Sequence, residues 1–268
     1  MRHVDLKILL ATIFANKAGQ DVSARLFRAH KKAAGMAAAN RKSHSDRNGP
    51  NKWKPVKDLA TAVLGNKCWY TEVELVGAPL GVDHYRPVCD YWWLAYDPEN
   101  YRIACDWANS PKHNSLYGCA GGKGDNFPLL APRLRAKGKK KLRVEKPIIL
   151  DPCVPTDCEL LAFQVDGRPV LNPKFNGDAI ARDRVEQSKI LLNLDHPEFN
   201  SKREQLCNDI STDVRTYEAL PANSPERVDI KNRLAARLGP KAPYSVAARL
   251  YLSLRRDLDW VQTILDNA

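Results

Sequence analysis

The strongest constraint on this fold is a change of hydrophobic period along the chain. Residues 3–39 place Val4, Ile8, Leu9, Ile13 and Phe14 at roughly helical spacing and then run into an Ala-rich stretch of high helix propensity. Helical patterning resumes at residue 178 and continues to the end. Between these regions, residues 75–105 carry aromatic and β-branched side chains in short pieces separated by Gly and Pro, which suits short strands. The expected class is therefore α+β, with a mixed centre flanked by helices.

Finer signals divide the chain. Residues 40–51 are polar and contain Asn48-Gly49-Pro50, so a loop is expected there, followed by a short helix over 57–64. The glycine-rich run 120–125 reads as a loop, and the basic run 137–143 as a solvated surface segment. A break is expected at Pro197. Helices are expected over 225–238 and 245–264, with Gly239-Pro240 as a stop between them. These signals give three parts: an N-terminal helical extension (1–52), a central core (53–135) and a C-terminal helical region (136–268). Leu191, Leu194, Phe199, Leu206 and Ile210 give the last part an apolar face that must cover either the core or a partner.

Charge narrows the range of partners. The 42 Lys and Arg against 31 Asp and Glu leave a net charge of +11, which favours polyanions through counterion release. No run of about 18 apolar residues suggests a membrane span. Residues 6–14 are apolar but short, and no small-residue cleavage site follows, so they read as a buried helix rather than a signal peptide. A cytoplasmic protein is expected. The seven Cys show no CxxC pair and no even spacing, which suits reduced thiols better than a disulfide framework.

The chemistry-bearing residues are Asp83-His84, followed by Arg86-Pro87, and then Asn100, Asn109 and Lys112. Hydrolysing a phosphodiester with one metal needs a base to deprotonate water and a hard cation to neutralise charge on the phosphate and leaving oxygen. Asp and Asn oxygens suit Mg²⁺, which keeps several waters and needs few protein ligands. A His with an ordinary pKa of about 6.5 suits the base. Neighbours on a strand point to opposite faces, so Asp83 and His84 share a site only where the strand ends or twists. Arg86-Pro87 fits such an ending. Trp92, Trp93 and Tyr96 are expected in the core rather than as base-stacking residues.

This pattern resembles the HNH (ββα-metal) endonuclease motif, in which Asn100 and Asn109 have the usual nine-residue separation. The resemblance implies a ββα-metal core inside a mostly helical shell. It implies His84 as general base, Asp83 and Asn109 as ligands of Mg²⁺ or Mn²⁺, and Asn100 as the residue pinning the loop that orients His84. Arg86 and Lys112 would contact phosphate. Tyr91 to Tyr96, the run from Lys123 through Asn126-Phe127-Pro128-Leu129, Ile149 to Pro152 and Ala242 to Ser245 resemble a narrower group: HNH proteins found with retrons and as the nuclease subunit of the Septu anti-phage system. That group acts with an ABC-type ATPase, and the resemblance covers about residues 53–255.

Many members carry two CxxC knuckles on a structural zinc. Here Cys68 is followed by Thr71 and Cys105 by Ala108 where each second Cys would stand. Two thiolates do not close a structural zinc site. Cys89, His113 and Cys119 could replace the missing ligands, but their spacing gives no support, so zinc is not expected. The competing reading is a non-catalytic nucleic-acid-binding or scaffold subunit with a relic HNH core. Nothing in the residues separates DNA from RNA as substrate, because the site reads phosphates rather than bases.

Overall fold

The computed structural model describes all residues except 39, 42–43, 46–48, 75–79 and 115. The part of the expected strand region at 75–79 and several positions of the expected 40–51 loop therefore lie outside the described residues.

The expected helix over 3–39 is two helices, α1 (Leu6–Ile13) and α2 (Lys17–Ala34). Asn16 divides them: its side chain accepts a hydrogen bond from Gly19 N at 2.9 Å, capping α2. Gly19 also makes the corner possible, since a Cβ there would lie 1.9 Å from the Ile13 carbonyl oxygen. The expected loop over 40–51 is a correction too. Residues 40–41 and 44–45 are helical, and α3 (Pro50–Leu64) begins where Gly49-Pro50 was read as a break. Pro at the first helical position lacks only an N–H that would have no partner anyway, so the dipeptide starts a helix here. The boundary drawn at 52/53 thus falls inside α3.

The centre is built of small pieces. Strands β1 (Gly81–His84) and β2 (Tyr101–Ala104) pair antiparallel, with Asp83 opposite Arg102 and His84 opposite Tyr101. The one-turn helix α4 (Asp106–Asn109) follows directly. The chain between β1 and β2 forms 3₁₀ turns at Trp92–Leu94 and Pro98–Asn100 rather than further strands. Tyr96 is buried as expected, whereas Trp92 and Trp93 are half-buried.

Strand β3 (Lys112–Asn114) then pairs with β4 (Cys119–Gly121), so the expected loop over 120–125 begins as a strand. Its glycines allow close backbone approach. A Cβ on Gly121 would meet the Asn193 side chain at 2.1 Å, and one on Gly122 (φ +91°) would meet the Ser110 carbonyl oxygen at 1.8 Å.

A third hairpin, β5 (Leu161–Phe163) with β6 (Pro169–Leu171), precedes the C-terminal helices. Helix α5 (Pro155–Cys158) is a single turn. It is followed by α6 (Ala179–Leu191), α7 (Pro197–Ala219), α8 (Glu226–Leu238), α9 (Ser245–Ser253) and α10 (Asp259–Asp266). Pro197 and Gly239-Pro240 act as expected. The helix expected over 245–264 splits instead, because Leu254 and Arg255 bond back three residues, to Tyr251 and Leu252. Architecture and sheet content together are mixed α+β.

The apolar face assigned to the C-terminal region is covered by the chain itself. Leu194, Phe199 and Ile210 are buried, and Leu191 and Leu206 pack partly buried against the same core. Buried polar ties join this region to the centre: Arg102 makes a two-pronged bond to Asp151 at 2.6 and 2.7 Å, and the Tyr85 hydroxyl donates to the Ile149 carbonyl. Among the described residues, no helix is long and apolar enough to cross a membrane.

Candidate active site

Strand β1 ends at His84, and the strand end is what lets two neighbouring side chains reach one cleft. Asp83, His84 and Asn109 line a cleft of about 440 Å³, together with Trp53 from α3 and with Gly124 and Asp125. Asn109 arrives at the end of α4, whose carbonyl groups Ala108 O and Asn109 O accept from Lys123 N and Gly124 N. These two bonds fix the Lys123–Gly124 turn across the cleft.

His84 is held in one orientation. Its Nε2 lies 2.9 Å from the Ala95 carbonyl oxygen. A carbonyl only accepts, so Nε2 carries the proton and the neutral ring keeps its lone pair on Nδ1. Trp53 and Tyr101 meet the ring edge-to-face at 4.7 and 5.1 Å between centroids. Tyr101 also donates its hydroxyl to the same Ala95 oxygen, at 2.9 Å. Burial lowers the His84 pKa below its ordinary value; the Ala95 bond and the Asp83 charge oppose that shift without cancelling it.

Asp83 is buried and accepts one bond on each oxygen, from Tyr70 OH to Oδ2 at 2.6 Å and from Lys123 Nζ to Oδ1 at 2.7 Å. Burial, and then the Asp83 charge, hold the Tyr70 hydroxyl well above its usual pKa, so it stays a donor. Lys123 is fully buried and also donates to the His84 carbonyl oxygen at 2.7 Å and to Gly124 O at 3.3 Å, so its three protons are all used. Neither Lys123 nor Tyr70 was singled out by the motif, although the glycines flanking Lys123 signal close backbone packing.

Asn100 does not line the cleft. Its side chain accepts from Arg86 N and donates to Arg86 O, both at 2.9 Å, and reaches Leu94 O at 3.5 Å. It thereby ties both ends of the segment that leads to Ala95. It is a positioning residue, acting on His84 through that carbonyl.

The two expected phosphate contacts lie outside the cleft lining. Arg86 pairs with Glu145 at 2.7 Å and lies over the Tyr85 and Phe127 rings. Lys112 is half-buried and pairs with Asp106 at 2.7 Å.

Cys68 and Cys105 come together in the core beside Thr71, whose Oγ1 is 3.9 Å from Cys105 Sγ. A turn follows each cysteine: Glu72 N donates to Cys68 O at 2.9 Å and Ala108 N to Cys105 O at 3.1 Å. Burial raises the Cys68 pKa, but the bonds from Cys105 and Thr71 outweigh it and lower the thiol. The side chain of Cys119 lies outside what the structure describes.

Two oxygen donors, Asp83 and Asn109, face one cleft, and each Asp83 oxygen has one lone pair beyond its hydrogen bond. That donor chemistry fits a hard cation which keeps most of its waters. Among the described residues, no group of three His, Cys, Asp or Glu could hold a metal. No protein-family model matches the chain, and no curated protein is detectably similar to it.

Proposed function

We propose that this chain is a metal-dependent nuclease of the HNH type that hydrolyses phosphodiester bonds in DNA or RNA. The observation that carries this reading is the His84–Ala95 bond. It fixes a neutral imidazole with Nδ1 as the basic nitrogen, in a cleft that also presents Asp83 and Asn109. In the proposed reaction His84 Nδ1 takes a proton from water, and the water oxygen forms a new bond to phosphorus. The bridging P–O bond breaks, and the leaving oxygen takes a proton from solvent. Asp83 and Asn109 would hold Mg²⁺ or Mn²⁺, which neutralises charge at the scissile phosphate when bound.

Work as the effector of an anti-phage complex with an ABC-type ATPase is part of this proposal and rests on the family resemblance alone. Such a partner would bind elsewhere than the apolar residues of α6 and α7, which the chain covers itself.

A second reading, a non-catalytic nucleic-acid-binding or scaffold subunit with a relic core, draws on one observation. The Lys123 ammonium already neutralises Asp83. Mg²⁺ titration separates the two: with a working site, Asp83→Ala and Asn109→Ala each raise the Mg²⁺ concentration for half-maximal cleavage. An unchanged midpoint in both excludes them as ligands.

A further inference from the structure

The N-terminal helices carry a second cleft next to the first. Arg25, Arg28 and Lys32 of α2 and Lys52 of α3 line a groove of about 450 Å³ whose wall includes Tyr96. Arg25, Arg28 and Lys32 stand at i, i+3 and i+7, so they share one helix face and span about 10 Å along its axis. That is roughly three base steps at about 3.4 Å per step of a DNA strand. All three are exposed.

Among the described residues, no carboxylate forms an ion pair with any of these four cations. Some surface cations of the C-terminal helices are paired by contrast: Lys202 with Glu198, Arg233 with Asp213, Arg237 with Asp209. Four cations around one concavity, without a carboxylate partner among the described residues, raise its local positive potential.

The groove lies beside the His84 cleft. Lys52 lines one and its neighbour Trp53 lines the other. The Trp53 ring lies 4.7 Å from that of His84 and 6.3 Å from that of Tyr96. We propose that this groove binds the sugar–phosphate backbone of a polynucleotide several nucleotides from the bond at His84, so that the N-terminal extension is the substrate-docking arm. The proposal deepens the nuclease reading and rests on it for what lies at the inner end of the groove.

The test measures binding by the full chain carrying His84→Ala, in EDTA, to a labelled 30-mer as single-stranded DNA, duplex DNA and RNA, over a range of KCl. Adding Arg25→Glu, Arg28→Glu and Lys32→Glu is expected to weaken binding at least 30-fold. It should also flatten the dependence of log K on log salt by about 2–3, from about 0.9 per lost phosphate contact on duplex and 0.7 on single strands. A charge-matched control, Lys202→Glu with Arg233→Glu and Arg237→Glu, should change affinity less than about threefold. The milder Arg28→Gln/Lys32→Gln variant should shift both readouts in the same direction, and thermal melts confirm that each variant folds.

Binding within threefold of the parent, or equal weakening by the control, overturns the proposal, as does a parent that binds none of the three probes. Because no cleavage is measured, a failure of the nuclease reading leaves this result standing and is told apart from it.

Discussion

Lys123 Nζ sits 2.7 Å from Asp83 Oδ1, with both side chains withdrawn from solvent. The ammonium reaches the buried carboxylate from a glycine-flanked turn braced by α4. Removing one partner of such a pair typically costs about 3–5 kcal/mol, because the other charge is left uncompensated.

Lys123→Met should therefore lower the melting temperature markedly. Added Mg²⁺ should restore part of the loss by binding the freed Asp83 in the folded state only. Melting curves with and without millimolar Mg²⁺ check this. A loss that Mg²⁺ does not relieve would remove Asp83 from the metal site.

The acid limb of kcat/KM should fall below the ordinary His value of about 6.5, because burial lowers the His84 pKa and the neutral ring is the active form. The rate should rise with pH through that lowered pKa and be flat by pH 7. The sign for stability agrees. The folded state binds the proton less readily than the unfolded, so His84 costs nothing above pH 6.5 and destabilises the fold as pH falls. A midpoint above 7 would contradict the assignment.

The knuckle remnants give a constructive test. Thr71 and Ala108 stand three residues after Cys68 and Cys105, and Thr71 Oγ1 lies 3.9 Å from Cys105 Sγ. The wild-type chain should purify with no stoichiometric zinc. The Thr71→Cys/Ala108→Cys variant should take up about one Zn²⁺ per chain, and Co²⁺ substitution should show thiolate charge transfer. One zinc per wild-type chain by elemental analysis would contradict the account.

Sequence and structure agree best where the chemistry is local. Asp83 and His84 at a strand end and Asn109 after the second strand are readable from spacing, and the structure brings all three to one cleft. The loop-pin role of Asn100 came only from the family resemblance, and its bonds to Arg86 and Leu94 were not readable from local pattern. Lys123 and Trp53 were missed because their site contacts span long stretches of chain, which no local periodicity records. The Pro50 helix start and the β4 strand within a glycine run differ from expectation for another reason. In each, a short-range breaker signal serves a neighbouring element that tertiary packing selects. The Arg86–Glu145 pair was not readable because the two residues are remote in sequence.

The most direct test of the central claim is cleavage of supercoiled plasmid DNA and of total RNA by the purified chain, alone and with its co-purifying partners, in Mg²⁺ and in EDTA, beside His84→Ala. The account predicts Mg²⁺-dependent cutting of at least one substrate that EDTA abolishes and that His84→Ala lowers by about 10²–10⁴-fold, the usual contribution of a general base. Cleavage by His84→Ala at the wild-type rate, or no cleavage by the wild-type chain under any of these conditions, would contradict it.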